Sequence, residues 1–160
     1  MVGLDTEPRC SGELTSIISS ALLLSHGIRR NVKLYVLFSK GYLYIDGRSV
    51  RNLRPDYESM CGLIRAALRG KTRYGIVYAN EEPSVVVDEL FVLSGRGIHL
   101  AEALLSIGQG LKGKNIGLAV NVEEIVNAKR VTMVFFERDY CVSQVLTIFN
   151  YLLDLLGVET

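Results

Sequence analysis

Residues 25–38 read Ser25-His26-Gly27-Ile28-Arg29-Arg30-Asn31-Val32-Lys33-Leu34-Tyr35-Val36-Leu37-Phe38, and the fold class is decided here. Upstream, Leu14, Ile17, Ile18, Ala21 and Leu22 recur at helical spacing behind Ser11, a good N-cap, so a helix is expected from Gly12 to about His26. Gly27 stands where a left-handed residue would close it. Val32 to Phe38 is then too short for a helix and rich in strand formers, and it reads as a strand buried on both faces. A helix, a tight turn and a buried strand are the beginning of an α/β domain. The turn carries Arg29 and Arg30 side by side. They are either solvated turn residues or charges held on a rigid support, the arrangement that phosphate recognition uses.

Outward from this stretch the pattern repeats. Lys40-Gly41 leads into Tyr42-Leu43-Tyr44-Ile45, and Asp46-Gly47 signals a hairpin before Arg48-Ser49-Val50, a ribbon expected at a sheet edge. Pro55 is placed as the first residue of a second helix, with Met60, Leu63, Ile64, Ala67 and Leu68 inward and Gly70 at its end. Gly75 to Tyr78 is a short strand. Val85-Val86-Val87 is a strand or a connection. Leu90-Phe91-Val92-Leu93 is a buried strand closed by Ser94-Gly95-Arg96-Gly97. A third helix turns Leu100, Ala101, Leu104 and Leu105 inward and stops at Gly108. Ile116 to Val120 and Val131 to Phe136 are two further buried strands, joined through Val122 to Ala128. The last helix starts near Asp139 or Tyr140, buries Val142, Val145, Leu146, Phe149, Leu152, Leu153 and Leu156, and ends at Gly157. Strands alternating with amphipathic helices give a single α/β domain, 1–160, with a mainly parallel sheet covered by helices on both faces.

Composition sets the bounds. The chain has 160 residues, 49% hydrophobic and 22% charged, which suits a packed core and excludes disorder. No apolar run reaches the ~18 residues a membrane span needs. The stretch Met1 to Glu7 lacks the basic start and apolar segment of a signal peptide, so a cytoplasmic protein is expected. Cys10, Cys61 and Cys141 are odd in number and have no C-x-x-C pairing. They read as small core residues, with neither a disulfide framework nor a metal site.

The net charge of +1 conceals a division. Residues 27–73 hold 11 of the 18 basic side chains against three acids, a net of +8, and the remainder carries 7 basic and 14 acidic residues. Such a split points to a region that faces a polyanion. Arg48, Arg51 and Arg54 recur every third residue, and Arg65 and Arg69 share a helical face. With Arg29, Arg30 and Lys33 they form the candidate phosphate-contacting set. Tyr42, Tyr44 and Tyr57 offer stacking surfaces to unpaired bases or serve edge packing. Ser94-Gly95-Arg96-Gly97 is a candidate anion-cradling turn at a helix N-terminus or a plain strand-to-helix turn. His26 and His99 fall in no metal or nucleophile spacing, and Cys141 at the head of the last helix is either a thiol whose pKa the helix amides lower or, the preferred reading, a buried structural thiol.

Leu24 to Val32, then Leu53-Arg54-Pro55-Asp56-Tyr57-Glu58-Ser59 and Leu63 to Leu68, resemble the archaeal TrmY family, whose patterns run roughly LSHGIRRDV and LNPDERS..ALIRKAL. These are S-adenosylmethionine-dependent tRNA pseudouridine N1-methyltransferases of the SPOUT class. Ser143 to Asp154 echoes a further family segment. The resemblance implies an RNA-facing surface in the N-terminal half and a homodimer or a docked subunit. It also implies structured RNA, tRNA or ribosomal RNA, as partner, with the ribosome as one assembly. The departures imply loss of chemistry. The family's first strand is replaced by about ten polar residues, and its active-site cysteine falls on Val145. Its cofactor loops survive only as a remnant at Ser94, Gly95 and Gly97, and the trefoil knot is expected to be reduced or absent. The expectation is a non-catalytic RNA-binding protein on a SPOUT-like scaffold, without bound cofactor. The alternative is an active methyltransferase using S-adenosylmethionine.

Overall fold

A computed structural model describes residues 1–72, 74–122 and 126–158. Arg73, counted in the basic segment, and residues 123–125, in the expected link between the last strands, lie outside the described residues. The chain falls into two compact units, Val2–Pro83 and Ser84–Thr160 with Met1.

The N-terminal unit is built on a four-stranded sheet. Strand β1 (Val2–Gly3) is followed by helix α1 (Gly12–Leu22), a two-residue ribbon of β2 (Leu23–Leu24) and β3 (Gly27–Ile28), then β4 (Lys33–Leu37), β5 (Tyr42–Asp46), helix α2 (Tyr57–Leu68) and β6 (Ile76–Ala79). The sheet order is β1-β4-β5-β6. Strand β1 runs parallel to β4, while the β4–β5 and β5–β6 pairs are antiparallel, so this sheet is mixed. The first strand, expected to be missing, is present: Val2 and Gly3 pair with Val36 and Leu37.

Helix α1 is capped by the Ser11 hydroxyl, which accepts from the Leu14 amide at 3.1 Å. It ends at Leu22, earlier than the expected His26. The Leu22 carbonyl accepts from the Arg29 amide at 2.7 Å, and Leu23-Leu24 pair antiparallel with Gly27-Ile28. A ladder bond thus takes the orphan carbonyl that a left-handed Gly27 would have closed. Strand β4 is buried on one face only: Leu34 and Val36 are covered, and Tyr35 and Leu37 are half-buried. Strand β5 is central, not an edge, because β6 pairs with its outer side. Asp46 to Val50 is a turn and no strand follows it. The Asp46 carboxylate accepts from the Arg48 amide at 2.9 Å, and the Asp46 carbonyl from the Val50 amide at 2.8 Å.

Helix α2 begins after Pro55. Its N-cap is Asp56, whose carboxylate accepts from the Ser59 amide at 2.9 Å. Gly70 does follow its end, in the left-handed region at φ +81°. Cys10 and Cys61, 51 residues apart, form a disulfide with Cα atoms 5.6 Å apart. This corrects the reading of unpaired core cysteines. Cys10 directly precedes the cap of α1 and Cys61 faces inward from α2, a juxtaposition that sequence spacing does not record.

The C-terminal unit is a three-stranded parallel sheet of order β8-β7-β9, from β7 (Val85–His99), β8 (Ile116–Ala119) and β9 (Val126–Phe135), with helices α3 (Leu100–Ile107) and α4 (Val142–Leu155). Val85–Val87 and Leu90–Leu93 belong to one strand. That strand continues to His99 through a register shift between Leu93 and Ile98, so Ser94 to Gly97 is a bulge inside β7 and not a strand-to-helix turn. Strand β9 already includes Val126 to Ala128, expected to be a connection. The Phe91 and Phe149 rings approach to 6.3 Å and seat α4 on the sheet. Leu105, expected inward, is 60% exposed, and Leu152 and Leu156 are only half-buried. Among the described residues no helix is long and apolar enough to cross a membrane.

Candidate functional site

Antiparallel pairing decides which loops meet. Lys33 opens β4 opposite Asp46, which closes β5, and Ile45 faces Ile76, which opens β6. The loops 29–32, 46–51 and 74–75 therefore gather at one end of the N-terminal sheet. Hydrogen bonds fix them there. The Gly47 amide donates to the Val32 carbonyl at 2.9 Å, and the Asp46 amide to the Gly75 carbonyl at 2.9 Å. Arg30 Nη1 donates to the carbonyls of Gly47 at 3.0 Å and Val50 at 3.1 Å. Gly47 has to be glycine, since a Cβ there would run into the Arg29 carbonyl.

Five of the eight expected RNA-contacting residues, Arg29, Arg30, Lys33, Arg48 and Arg51, lie in or beside these loops. Helix α2 runs toward the same end, so its cap Arg69, with Arg65 one turn behind, lies on the approach. Arg54 precedes the other end of α2 and is not brought in. Asp46, half-buried and bonded to the Arg48 amide, is the acid of this cluster. The opposite end of the sheet carries Asp5, Glu7, Glu81 and Glu82 beside Arg9 and Lys40, so the unit has a cationic end and an acidic one.

Arg30 has a role the sequence did not reveal, because its guanidinium clips two loops together while its charge stays at the surface. Guanidinium suits this, being planar, multiply donating and charged at any working pH. Arg51 lies over the Tyr74 ring at 5.7 Å, a cation–π contact. Asn52 (φ 58°) and Tyr74 (φ 38°) hold left-handed backbone at this contact. Non-glycine residues are rarely held so, and such positions concentrate at functional loops. Tyr57 is exposed at the start of α2, away from Tyr42 and Tyr44.

The cofactor expectation fares differently. Ser94, Gly95 and Gly97 lie in the bulge of β7. At Gly97 (φ +119°) the missing side chain makes room for the Met133 backbone of the neighbouring strand, not for a ligand. Gly97 thus serves the packing of the two strands, whereas a Cβ at Gly95 would meet open space. The Ala101 amide at the start of α3 is not open to an anion, since His99 Nδ1 accepts from it at 3.3 Å. Val145, expected from the resemblance to stand at the family's cysteine position, is buried in α4. Cys141, expected buried, is an exposed free thiol. The Ser143 hydroxyl 3.2 Å from its sulfur, then the backbone at Gln144, hold its pKa below the ordinary thiol value. Among the described residues no group of His, Cys, Asp or Glu is placed to hold a metal ion.

Sequence comparison adds identity to this geometry. A tRNA (pseudouridine(54)-N(1))-methyltransferase of Halobacterium salinarum is 34% identical over 91 residues, 54% of this chain and 46% of its own length. The enzyme of the same name from Natronomonas pharaonis is 33% identical over 76 residues, 46% of this chain and 38% of its own length. The match thus covers less than half the length of either relative. Residues 10–104, which include every loop of the cationic end, match the profile of the family described as "Putative SAM-dependent RNA methyltransferase", and the chain belongs to that family.

Proposed function

We propose that this chain binds structured RNA through the cationic end of its N-terminal sheet, on a SPOUT-class methyltransferase scaffold that does not itself transfer a methyl group. The observation that carries the reading is the convergence of loop 29–32, bearing Arg29 and Arg30, with loop 46–51, bearing Arg48 and Arg51, beside Lys33 at the start of β4, the two loops being locked by Arg30 and Gly47. Charges held by backbone bonds lose little entropy when they meet a phosphate backbone, and each phosphate neutralised releases counterions. The names of the matched relatives make tRNA the first RNA to try, with ribosomal RNA second. The absence of chemistry rests on Ser94, Gly95 and Gly97, which lie in a strand where a cofactor loop was expected.

The test is tRNA binding as a function of salt, for the wild type and for Arg29→Gln, Arg48→Gln and Arg51→Gln. Binding that weakens with salt, with a slope about one smaller in each variant, is the expected result. Equal binding in all four proteins would overturn it.

A second reading is favoured by the activity for which both relatives are named. In it the chain is an active tRNA pseudouridine N1-methyltransferase, and S-adenosylmethionine supplies the methyl group from a site other than Ser94 to Gly97. Saturable binding of S-adenosylmethionine in titration calorimetry, with transfer of labelled methyl to tRNA, would establish it. No heat and no transfer favour the scaffold.

A further inference from the structure

The two faces of the N-terminal sheet differ. Leu34, Val36, Leu43, Ile45 and Ile76 point to one side and are buried, and α1 and α2 pack against β4 and β6. The alternating residues point to the other side, where all are at least partly exposed. Three of them are tyrosines. Tyr35 and Tyr44 stand directly opposite across β4 and β5, with ring centroids 4.8 Å apart, and Tyr42 completes the group at 6.1 Å from Tyr35. Each pair is tilted by 39°, so the rings do not close face to face on one another.

We propose that this tyrosine face is a stacking platform for the unpaired bases of a single-stranded RNA segment whose phosphates run onto the cationic end of the same sheet. The inference rests on the RNA-binding reading and deepens it by naming what part of an RNA is held. Two features favour RNA over a protein partner. First, Lys33 lies on this face at the cationic end, in register with Asp46, and the arginine loops begin where the tyrosines stop. A chain of bases stacked on Tyr35 and Tyr44 has its backbone charge met there. Second, aromatic rings on a half-wet sheet face suit bases, since every base has a π-face and stacking needs no sequence match. Sequence reading named Tyr42 and Tyr44 but not Tyr35, because a strand taken as buried on both faces leaves its tyrosine in the core.

The test uses a short single-stranded oligoribonucleotide carrying 2-aminopurine, whose fluorescence falls on stacking against an aromatic ring. The wild type is expected to bind and quench it. Tyr35→Leu and Tyr44→Leu should each weaken binding roughly tenfold and lose quenching without changing the salt slope, while Tyr35→Phe and Tyr44→Phe keep both. A wild-type complex that leaves 2-aminopurine unquenched overturns the platform whatever the variants do. If Arg48→Gln and Arg51→Gln weaken binding but the leucine variants do not, the cationic end stands and the platform falls. If no variant matters, both fall. If light scattering shows a wild-type dimer that Tyr44→Leu dissociates, a second copy of the chain occupies the face and the proposal is wrong.

Discussion

Arg30 donates through Nη1 to the Gly47 carbonyl at 3.0 Å, and this bond couples the arginine turn to the loop that bears Arg48 and Arg51. A charged donor to two carbonyls is worth more than a neutral pair, and removing it leaves both acceptors short of a partner. Arg30→Ala should therefore lower stability by about 1–3 kcal/mol and weaken RNA binding more than loss of one charge explains. Arg30→Lys separates the two effects. It keeps the charge but not the planar fork, so stability should fall while the salt slope of binding stays close to wild type. Urea melts and salt-dependent binding on the same three proteins check this. A stable Arg30→Ala protein would mean the clip is ornamental.

The same junction predicts opposite outcomes for two glycines. At Gly47 an added Cβ meets the Arg29 carbonyl and crowds that of Val32, so Gly47→Ala must push the two loops apart. Gly62 lies in α2 with open space around its Cβ position. Gly62→Ala should raise stability by about 0.5–1 kcal/mol through helix propensity, with RNA binding unchanged. Gly47→Ala should lower both stability and affinity. Thermal melts of the pair decide it, and equal shifts would show that the Gly47 contact relaxes freely.

What the sequence disclosed follows the range of the forces involved. Local signals held: Ser11 caps α1, Gly70 and Gly108 close helices, and the apolar runs at Leu34 and Leu43 are strands. The basic residues were legible as a set because charge needs only counting. Non-local relations were not legible. Gly27 carries the right residue type for a helix stop, but its role depends on a ladder bond from Arg29 to Leu22. Ser94 to Gly97 has the composition of a turn, yet β9 pairs across it and keeps it in the strand. Arg30 looked like one more surface charge because its acceptors lie 17 and 20 residues away.

The disulfide between Cys10 and Cys61 closes a loop of about fifty residues that includes α1, β4 and β5. Closing such a loop restricts the unfolded chain and typically stabilises by roughly 2–4 kcal/mol. Cys10→Ser is the cleaner probe, because Cys10 is half-buried whereas Cys61 is fully buried and its replacement would also disturb packing. The variant should melt lower than the oxidised wild type and match the wild type in reductant. Identical melting with and without reductant would mean the bond does not form in solution.

Asp56 gives a pH signature for α2. Hydrogen bonds from Ser59 hold its carboxyl below the usual carboxylate value. The folded-state pKa is depressed, so the stabilisation is present above about pH 4 and is lost as pH falls through the lower folded value. Asp56→Asn keeps a capping oxygen but does not titrate. The gap in melting temperature between wild type and Asp56→Asn should be constant near neutrality and change below pH 4. A gap that stays constant in acid would exclude the cap as the titrating group.

Cys141 is the remaining thiol, and its surroundings set its reactivity. It is exposed at the N-cap of α4, where the helix amides and the Ser143 hydroxyl favour the thiolate. Cys10 and Cys61 are paired, so Ellman's reagent should titrate a single thiol in the native protein. The lowered pKa means a larger thiolate fraction at neutral pH than for a free cysteine, and a pH–rate profile displaced to lower pH. Ser143→Ala removes the first cause and should move that profile upward without altering the fold. If the profile of the wild type coincided with that of glutathione, the hydrogen bond to Ser143 would be carrying no charge.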